Sequence, residues 1–218
     1  MEILGIFCAG NLGREIYDIA FRINREQKCW EQIVFVDNYP KSQSYYQIKV
    51  HRLSEWTEQK SDIEFVIANG EPSTRRIIYD QLTGEGFTLT NLIDPTAIIS
   101  PTAEIGEGSI IAPFSSVSSN VVLGKNVLIQ SYIRVGHDIH IGKHSVISSN
   151  CAIGGGTEMG EEVFIGMGAV VKEELKIGDG AVLGMGGVLF KDLAAGMTAV
   201  GNPARMTKGN EERKVFRS

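Results

Sequence analysis

The chain is short of most features that mark specialised protein classes. Cysteine occurs three times, as Cys8, Cys29 and Cys151. The count is odd and shows neither CxxC nor metal-ligand spacing, so no disulfide framework or metal site is implied and the thiols read as reduced. Proline numbers only 6 in 218 residues, which excludes collagenous and proline-rich chains. No apolar run approaches the roughly 18 to 20 residues of a membrane span, and the opening MEILGIFCAG shows no cationic segment followed by a cleavage site. The expected location is the cytoplasm, without membrane insertion. Positive charge is also scarce, with 21 Lys and Arg against 26 Asp and Glu and a net charge of −5. Duplex nucleic-acid binders are ordinarily clearly basic, so no nucleic-acid partner is expected and a small molecule is.

Glycine, by contrast, is abundant at 25 residues, and 17 of these lie between positions 93 and 200. That segment divides into eighteen consecutive hexapeptides, beginning at Ile93 and ending with the unit that starts at Ala195. Seventeen of the eighteen leading positions are large and apolar, and ten of the eighteen second positions, from Gly106 to Gly196, are glycine. The fifth positions are mostly small or β-branched, as at Ala97, Ser109, Val121 and Ala169. A period of six fits neither a helix nor a hairpin meander, but it fits a three-sided coil of short parallel strands, one face and one corner per hexapeptide. Positions one and five then point inward. The second-position glycine is expected to serve a corner where the backbone leaves the β region. Eighteen units make six coils. One inward row is too little to offset the backbone entropy of so long a segment, so strand ladders and contacts between copies are expected to contribute.

The first ninety residues alternate differently. Residues 2–8, 33–37, 63–68 and 87–92 read as strands, and residues 12–27 and 73–85 as helices, a pattern that predicts a small parallel sheet with helices on its faces. The boundary falls near Asp94 and Pro95. The turn Cys8-Ala9-Gly10-Asn11-Leu12-Gly13 carries two of the three glycines of a GxGxxG fingerprint, and Asp37 closes the next strand. Such a turn places a phosphate on a helix N-terminus, with Asp37 near a ribose or base. The other reading is a glycine turn kept only for helix-strand packing. Ninety residues supply about half of a dinucleotide-binding domain, which favours a mononucleotide or nucleotide-sugar over NAD.

Of the four histidines, His51 falls in an expected loop. His137, His140 and His144 occupy positions three, six and four of their units, all expected to face out of the coil, with His137 and Asp138 at a corner. An exposed neutral imidazole can accept a proton from an attacking amine or hydroxyl, and a neighbouring carboxylate can fix its tautomer. Adjacency alone leaves the orientation of Asp138 open. Three histidines in eight residues also raise zinc-dependent hydration, although their clustering matches it poorly. A non-catalytic nucleotide-binding trimer is a further alternative.

The segments FCAGNLGREI, IVFVDN, FVIANGEPSTRRIIYDQL, NLIDPTAIISPTAEIG, VGHDIHIG and AVGNPARM occur in an order that resembles the bacterial sugar-acetyltransferase family. That family includes NeuD-like sialic acid O-acetyltransferases and PglD-like nucleotide-amino-sugar N-acetyltransferases. The resemblance implies an α/β Rossmann-like N-terminal domain over residues 1–92, an all-β left-handed parallel β-helix over 93–200, and a C-terminal tail over 201–218. The left hand comes from the family, since general crossover rules favour the opposite hand. It also implies a homotrimer, acetyl-CoA as cosubstrate, and acetyl transfer to the amine of a nucleotide-linked amino sugar for surface-glycan synthesis, with O-acetylation of a sugar such as a sialic acid as the alternative. Carried over by motif, His137 is the general base and Asp138 its partner. Gly10, Asn11, Leu12, Asp37, Asn38 and Gly70 contact the nucleotide-sugar, and Gly155, Met167 and Met185 line the coenzyme groove. The chain departs from the pattern at Cys8, which replaces a glycine, at Leu12, where a histidine is frequent, and at Asn38, where an acid is common.

Overall fold

The computed structural model describes residues 2–210 and 214–216. The N-terminal part is a six-stranded sheet of β1 (Ile3–Phe7), β2 (Gln32–Val36), β3 (Ser44–Tyr45), β4 (Ile48–His51), β5 (Ile63–Ile67) and β6 (Thr88–Leu89), in the order β3-β4-β2-β1-β5-β6. All pairings are parallel except the hairpin of β3 and β4. Helix α1 (Asn11–Gln27) presents Gly13, Ile16, Ile19, Ala20 and Ile23 at spacings of three and four, and this stripe is buried. Helix α2 (Pro72–Gly84) begins with proline, whose missing N–H is no loss in a first turn.

Two local expectations change. The hairpin of β3 and β4 turns on Tyr46 and Gln47, both left-handed at φ 50° and 64°. Such a turn normally announces itself through Asn-Gly or Asp-Gly, a signal these residues lack. His51 therefore lies at the end of a strand, where its Nδ1 sits 2.9 Å from Glu55. The strand expected at 87–92 is short, because after Leu89 the chain leaves the sheet and Leu92–Ile93 pairs with Ile110–Ile111 of the coil. Asn91 Oδ1 secures this passage by accepting the Ser109 N–H at 2.9 Å.

From Leu92 onward the chain winds a left-handed parallel β-helix. Its first face carries strands such as Leu128–Ile129 and Val146–Ile147, its second Arg134–Val135 and Ala152–Ile153, and its third Val122–Leu123 and His140–Ile141. Partners are eighteen residues apart, and inward rows such as Ile111, Ile129, Ile147, Ile165 and Leu183 are fully buried. The eighteenth-unit expectation fails. Leu193 bridges Ile177, and the strand Met197–Val200 places Thr198 opposite Val182, so two residues are missing from the register after Leu189. Leu193 supplies the large inward side chain, and Ala195, expected there, is exposed. A final strand, Arg205–Gly209, folds back antiparallel on Met197–Val200. Residues 211–213 and 217–218 of the expected tail lie outside the described residues.

The glycine argument is also corrected. From Gly108 to Gly186 the left-handed corner residue is the fourth of each unit, as at Gly108, Asn120, Asp138 and Gly156 with φ between 54° and 73°. Second-position glycines are needed for closeness between coils. A Cβ on Gly142 would stand 2.3 Å from the carbonyl carbon and oxygen of Gly160, and one on Gly154 would stand 2.4 Å from the Glu173 nitrogen.

The outer surface of the first coil face docks the α/β domain. Ile110, Leu128, Val146 and Phe164 join Ala9, Ile16, Ile19 and Ile23 in one apolar cluster. The equivalent outward side chain on the second face, Ile98, is 73% exposed. Alongside, Arg22 of α1 grips the buried Asp94 carboxylate through Nε at 2.9 Å and Nη2 at 2.7 Å. Arg75 of α2 is fully buried and donates to the carbonyls of Asn126, Ile67 and Asn69 at 2.6–3.1 Å. Desolvation lowers its pKa to about 9. Among the described residues, no helix is long and apolar enough to cross a membrane.

Gly142→Val is therefore expected to destabilise the fold by roughly 2 kcal/mol or more, read as a lower urea midpoint. Gly168→Asn, at φ 70° with open space around its Cβ position, should stay within about 1 kcal/mol, because asparagine tolerates the left-handed region.

Candidate active site

The corner between the second and third coil faces carries His137 and Asp138. The backbone at Asp138 is left-handed, φ 54°, which swings its carboxylate beside the preceding imidazole. Asp138 Oδ2 lies 2.7 Å from His137 Nδ1, and Asp138 Oδ1 accepts Asn120 Nδ2–H at 2.9 Å from one coil below. These hydrogen bonds, Asn120 first, hold the Asp138 carboxyl below its ordinary pKa. An ionised carboxylate only accepts, so the imidazole proton resides on Nδ1 and the Nε2 lone pair is available. The ring lies over Gly155, where a Cβ would come within 2.8 Å of Cε1 and Nε2. Both side chains are more than half exposed.

His140 and His144 take no part in this arrangement. His140 is exposed on the third face, lining a groove of about 1010 Å³ with Tyr79, Lys143 and Lys176. His144 does point out of the coil, as expected, but an outward direction does not put it in solvent: α2 covers it and leaves it 3% exposed. Its Nδ1 sits 3.0 Å from Asn126 Nδ2, and its ring packs against Tyr79 with centroids 5.1 Å apart. Burial lowers its pKa to about 4, with Asp80, Glu161 and Glu162 opposing and Arg75 reinforcing the shift. Among the described residues no group of three or more His, Cys, Asp or Glu could hold a metal ion.

The second cluster lies at the C-terminal edge of the parallel sheet. Cys8, where the fingerprint has glycine, adopts φ 77°, and desolvation raises its thiol pKa to about 11. Gly13 is required by packing, since a Cβ there would stand 2.3 Å from the Cys8 carbonyl oxygen. Gly10 caps α1 without a side-chain hydrogen bond, and the first turn contains no acid. Asn11 Oδ1 accepts from Arg14 at 2.7 Å. Asp37 staples the crevice together, accepting the Ala9 N–H at 3.0 Å and the Tyr39 N–H at 2.8 Å, while Asn38 accepts the Leu53 N–H at 3.2 Å. Gly70 faces Leu12 across the opening, 3.9 Å from its Cβ position to Leu12 Cδ2. A small cavity of about 190 Å³ continues from Leu12 and Glu15 to Gln130, Ser131 and Ser149 on the coil.

The predicted coenzyme residues are divided within one chain. Gly155 lies beside His137, whereas Met167 and Met185, 56% and 80% exposed, occupy the corner at the opposite edge of the second face. Sequence reading missed Asn120, although it stands one full coil before Asp138 in the register. It also missed Arg75 and Asn126, whose contact depends on how α2 meets the coil.

These features define a coil of hexapeptides with a solvent-facing histidine-carboxylate pair, joined to a parallel α/β domain with a glycine turn at the start of its first helix. Residues 4–82 match the family model for the PglD N-terminal domain and residues 93–191 that for the GMPPB C-terminal domain. The acetyltransferase domain of PglB from Neisseria gonorrhoeae FA1090 is similar at 29% identity and TM-score 0.88, over 95% of this chain and 100% of that one, and has also been solved with acetyl coenzyme A. WeeI from Acinetobacter baumannii AYE is similar at 28% identity and TM-score 0.87, over 95% and 100%. PerB from Caulobacter crescentus, in complex with CoA and GDP-perosamine, shares the fold at 23% identity and TM-score 0.85, over 95% and 98%. No curated protein sequence matches. The chain is thus similar along nearly its whole length to bacterial acetyltransferases built from hexapeptide repeats.

Because His144 is neutral in the fold at about pKa 4 and titrates near 6.5 when unfolded, its contribution is complete above about pH 6.5 and is lost as pH falls toward 4. Urea unfolding should show roughly 2 kcal/mol less stability at pH 5 than at pH 7 from this group, and His144→Gln should flatten that dependence.

Proposed function

We propose that this protein is an acetyl-CoA-dependent N-acetyltransferase acting on a nucleotide-linked amino sugar, in the cytoplasm, for surface-glycan synthesis. The observation that carries the reading is the 2.7 Å contact between His137 Nδ1 and Asp138, which leaves Nε2 as the proton acceptor at an open corner. The amine nitrogen attacks the thioester carbonyl, the new C–N bond forms as the C–S bond breaks, and the amine proton passes to His137 Nε2 and on to the departing thiolate. Asp138 holds the tautomer and steadies the imidazolium. No covalent acyl-enzyme is needed when both substrates are held in place.

The crevice of Gly10, Asn11, Leu12, Asp37, Asn38 and Gly70 binds the nucleotide-sugar, with its diphosphate on the free N–H groups that begin α1. That assigns substrate binding to residues 1–92 and acyl transfer to 93–200, with 201–218 as the C-terminal tail, whose strand Arg205–Gly209 pairs with the end of the coil. The opposed corners of the second face support a homotrimer. Three-fold packing brings the edge bearing Met167 and Met185 on one copy beside the edge bearing His137 and Gly155 on the next, making the coenzyme groove between copies. Exposed Ile98, Val170 and the stacked pair Phe114 and Tyr132, with centroids 5.1 Å apart, supply an apolar surface for that contact. The solved complexes of PglB with acetyl coenzyme A and of PerB with CoA and GDP-perosamine support the choice of substrates.

The test is thiol release from acetyl-CoA with a panel of UDP-, GDP-, dTDP- and CMP-linked amino sugars. With the accepted sugar, His137→Ala should lower kcat by roughly 100-fold or more while leaving the melting temperature unchanged, since the side chain is exposed. Turnover near the wild-type value overturns the assignment. An acetyl product labile to mild alkali would place the transfer on oxygen.

A further inference from the structure

Beyond the terminal hairpin, residues 214–216 return to the α/β domain. Glu71, the residue that caps α2, turns its carboxylate toward them. It accepts the Val215 N–H at 3.0 Å on each oxygen and the Phe216 N–H at 2.9 Å. Val215 packs half-buried into the apolar cluster that joins α1 to the first coil face. The Phe216 ring stands edge-on to Phe164, with centroids 5.5 Å apart and planes at 87°. It also borders Gly70, whose Cβ position lies 3.7 Å from the ring and 3.9 Å from the Leu12 side chain. A phenyl ring is thereby fixed at the rim of the crevice bounded by the turns β1–α1 and β5–α2.

Burial does not explain this placement, because Phe216 remains 58% exposed while its backbone is held by a charged acceptor. Gly70 keeps the space between the ring and Leu12 open, and any longer side chain there would fill it. A rigidly anchored aromatic face beside a phosphate-type turn is suited to one class of ligand surface, the flat face of a nucleobase.

We propose that Phe216 is a binding residue for the nucleotide, stacking on its base while the diphosphate lies on the α1 N-terminus. Glu71 is the positioning residue that holds the ring in place. The proposal rests on the nucleotide-sugar reading of the same crevice. It adds a wall to that crevice from a segment distant in sequence, and it makes the C-terminal segment a determinant of affinity.

Calorimetric titration of the full chain with UDP, GDP, CDP and dTDP identifies the nucleotide that the wild type binds. With that probe, Phe216→Ala is expected to raise Kd by about 10-fold, in line with the loss of one stacked base. Phe216→Tyr should retain wild-type affinity, and Glu71→Ala should reproduce the loss through release of the segment. Ribose 5-diphosphate, which lacks the base, should compete equally well against all four proteins. An unchanged Kd for Phe216→Ala, or an equal loss with ribose 5-diphosphate, overturns the stacking role. A lower Kd also overturns it and marks the ring as an occluding plug. Failure of the wild type to bind any of the four nucleotides overturns the nucleotide reading itself, which separates that failure from the others.

Discussion

At most of the second-position glycines, successive coils approach each other so closely that a Cβ would enter the backbone of the next layer. That contact forces an eighteen-residue register, in which each side chain stands directly above its counterpart one turn earlier. The corner that carries His137 and Asp138 is a product of this register. Asn120 reaches Asp138 because they are eighteen residues apart, and Gly155 lies under the His137 ring for the same reason. The left-handed fourth position then turns the Asp138 carboxylate onto its neighbour. Two residues adjacent in sequence become a hydrogen-bonded pair only because a corner of fixed geometry separates two strands.

The same register distinguishes the three faces. Outward side chains on the first face are large and apolar, and they are covered by α1 and the β1–α1 turn. On the third face the corresponding positions are His140, Glu158 and Lys176, which remain in water. The α/β domain is thus seated by the outward composition of one face, and its seating sets where the crevice between the β1–α1 and β5–α2 turns opens. Arg75 reinforces this seat, and among the described residues its hydrogen bonds go to Asn126 and to the carbonyls of Ile67 and Asn69 rather than to a carboxylate. It satisfies several carbonyls at once, which suits a planar guanidinium better than an ammonium, and it ties the strand β5, the turn after it and Asn126 into one unit.

How much of this was legible follows from the range of each interaction. The repeat, its inward rows and the corner position of His137 are periodic properties, so they can be read from spacing alone. The function of the second-position glycines cannot, because period six is compatible with either a left-handed backbone or a crowded one, and only coordinates separate φ from clearance. A strict period of six past Leu189 points Ala195 inward, whereas Leu193, the larger apolar residue, takes the inward row. The burial of His144 escapes the sequence for a different reason. Its outward direction followed from the register, but whether another element covers an outward residue depends on domain docking, which leaves no periodic trace. The hairpin at Tyr46 and Gln47 lacked turn chemistry, and the return of Phe216 to Gly70 joins residues far apart in the chain.

The exposure of the His137 pair bears on how much catalysis a single chain can support. In water, the attraction between an imidazolium and a carboxylate is strongly attenuated, and a low-dielectric surrounding multiplies it several-fold. The pair is therefore arranged in tautomer and direction but not yet in medium. Gly155 offers no side chain to shield it, and Asn120 shields only the far side of the carboxylate. Whatever excludes water at this corner must arrive with the substrates or from an adjoining surface. The exposed apolar ridge of Ile98, Phe114, Tyr132 and Met185 at the other edge of the same face has the composition to do that. A ridge and a catalytic corner at opposite edges of one face cannot meet within a chain, but they can meet between copies related by rotation. In the proposed assembly, the chemistry and the packing of copies are the same problem, because the second edge would supply the dry surface that the first edge lacks.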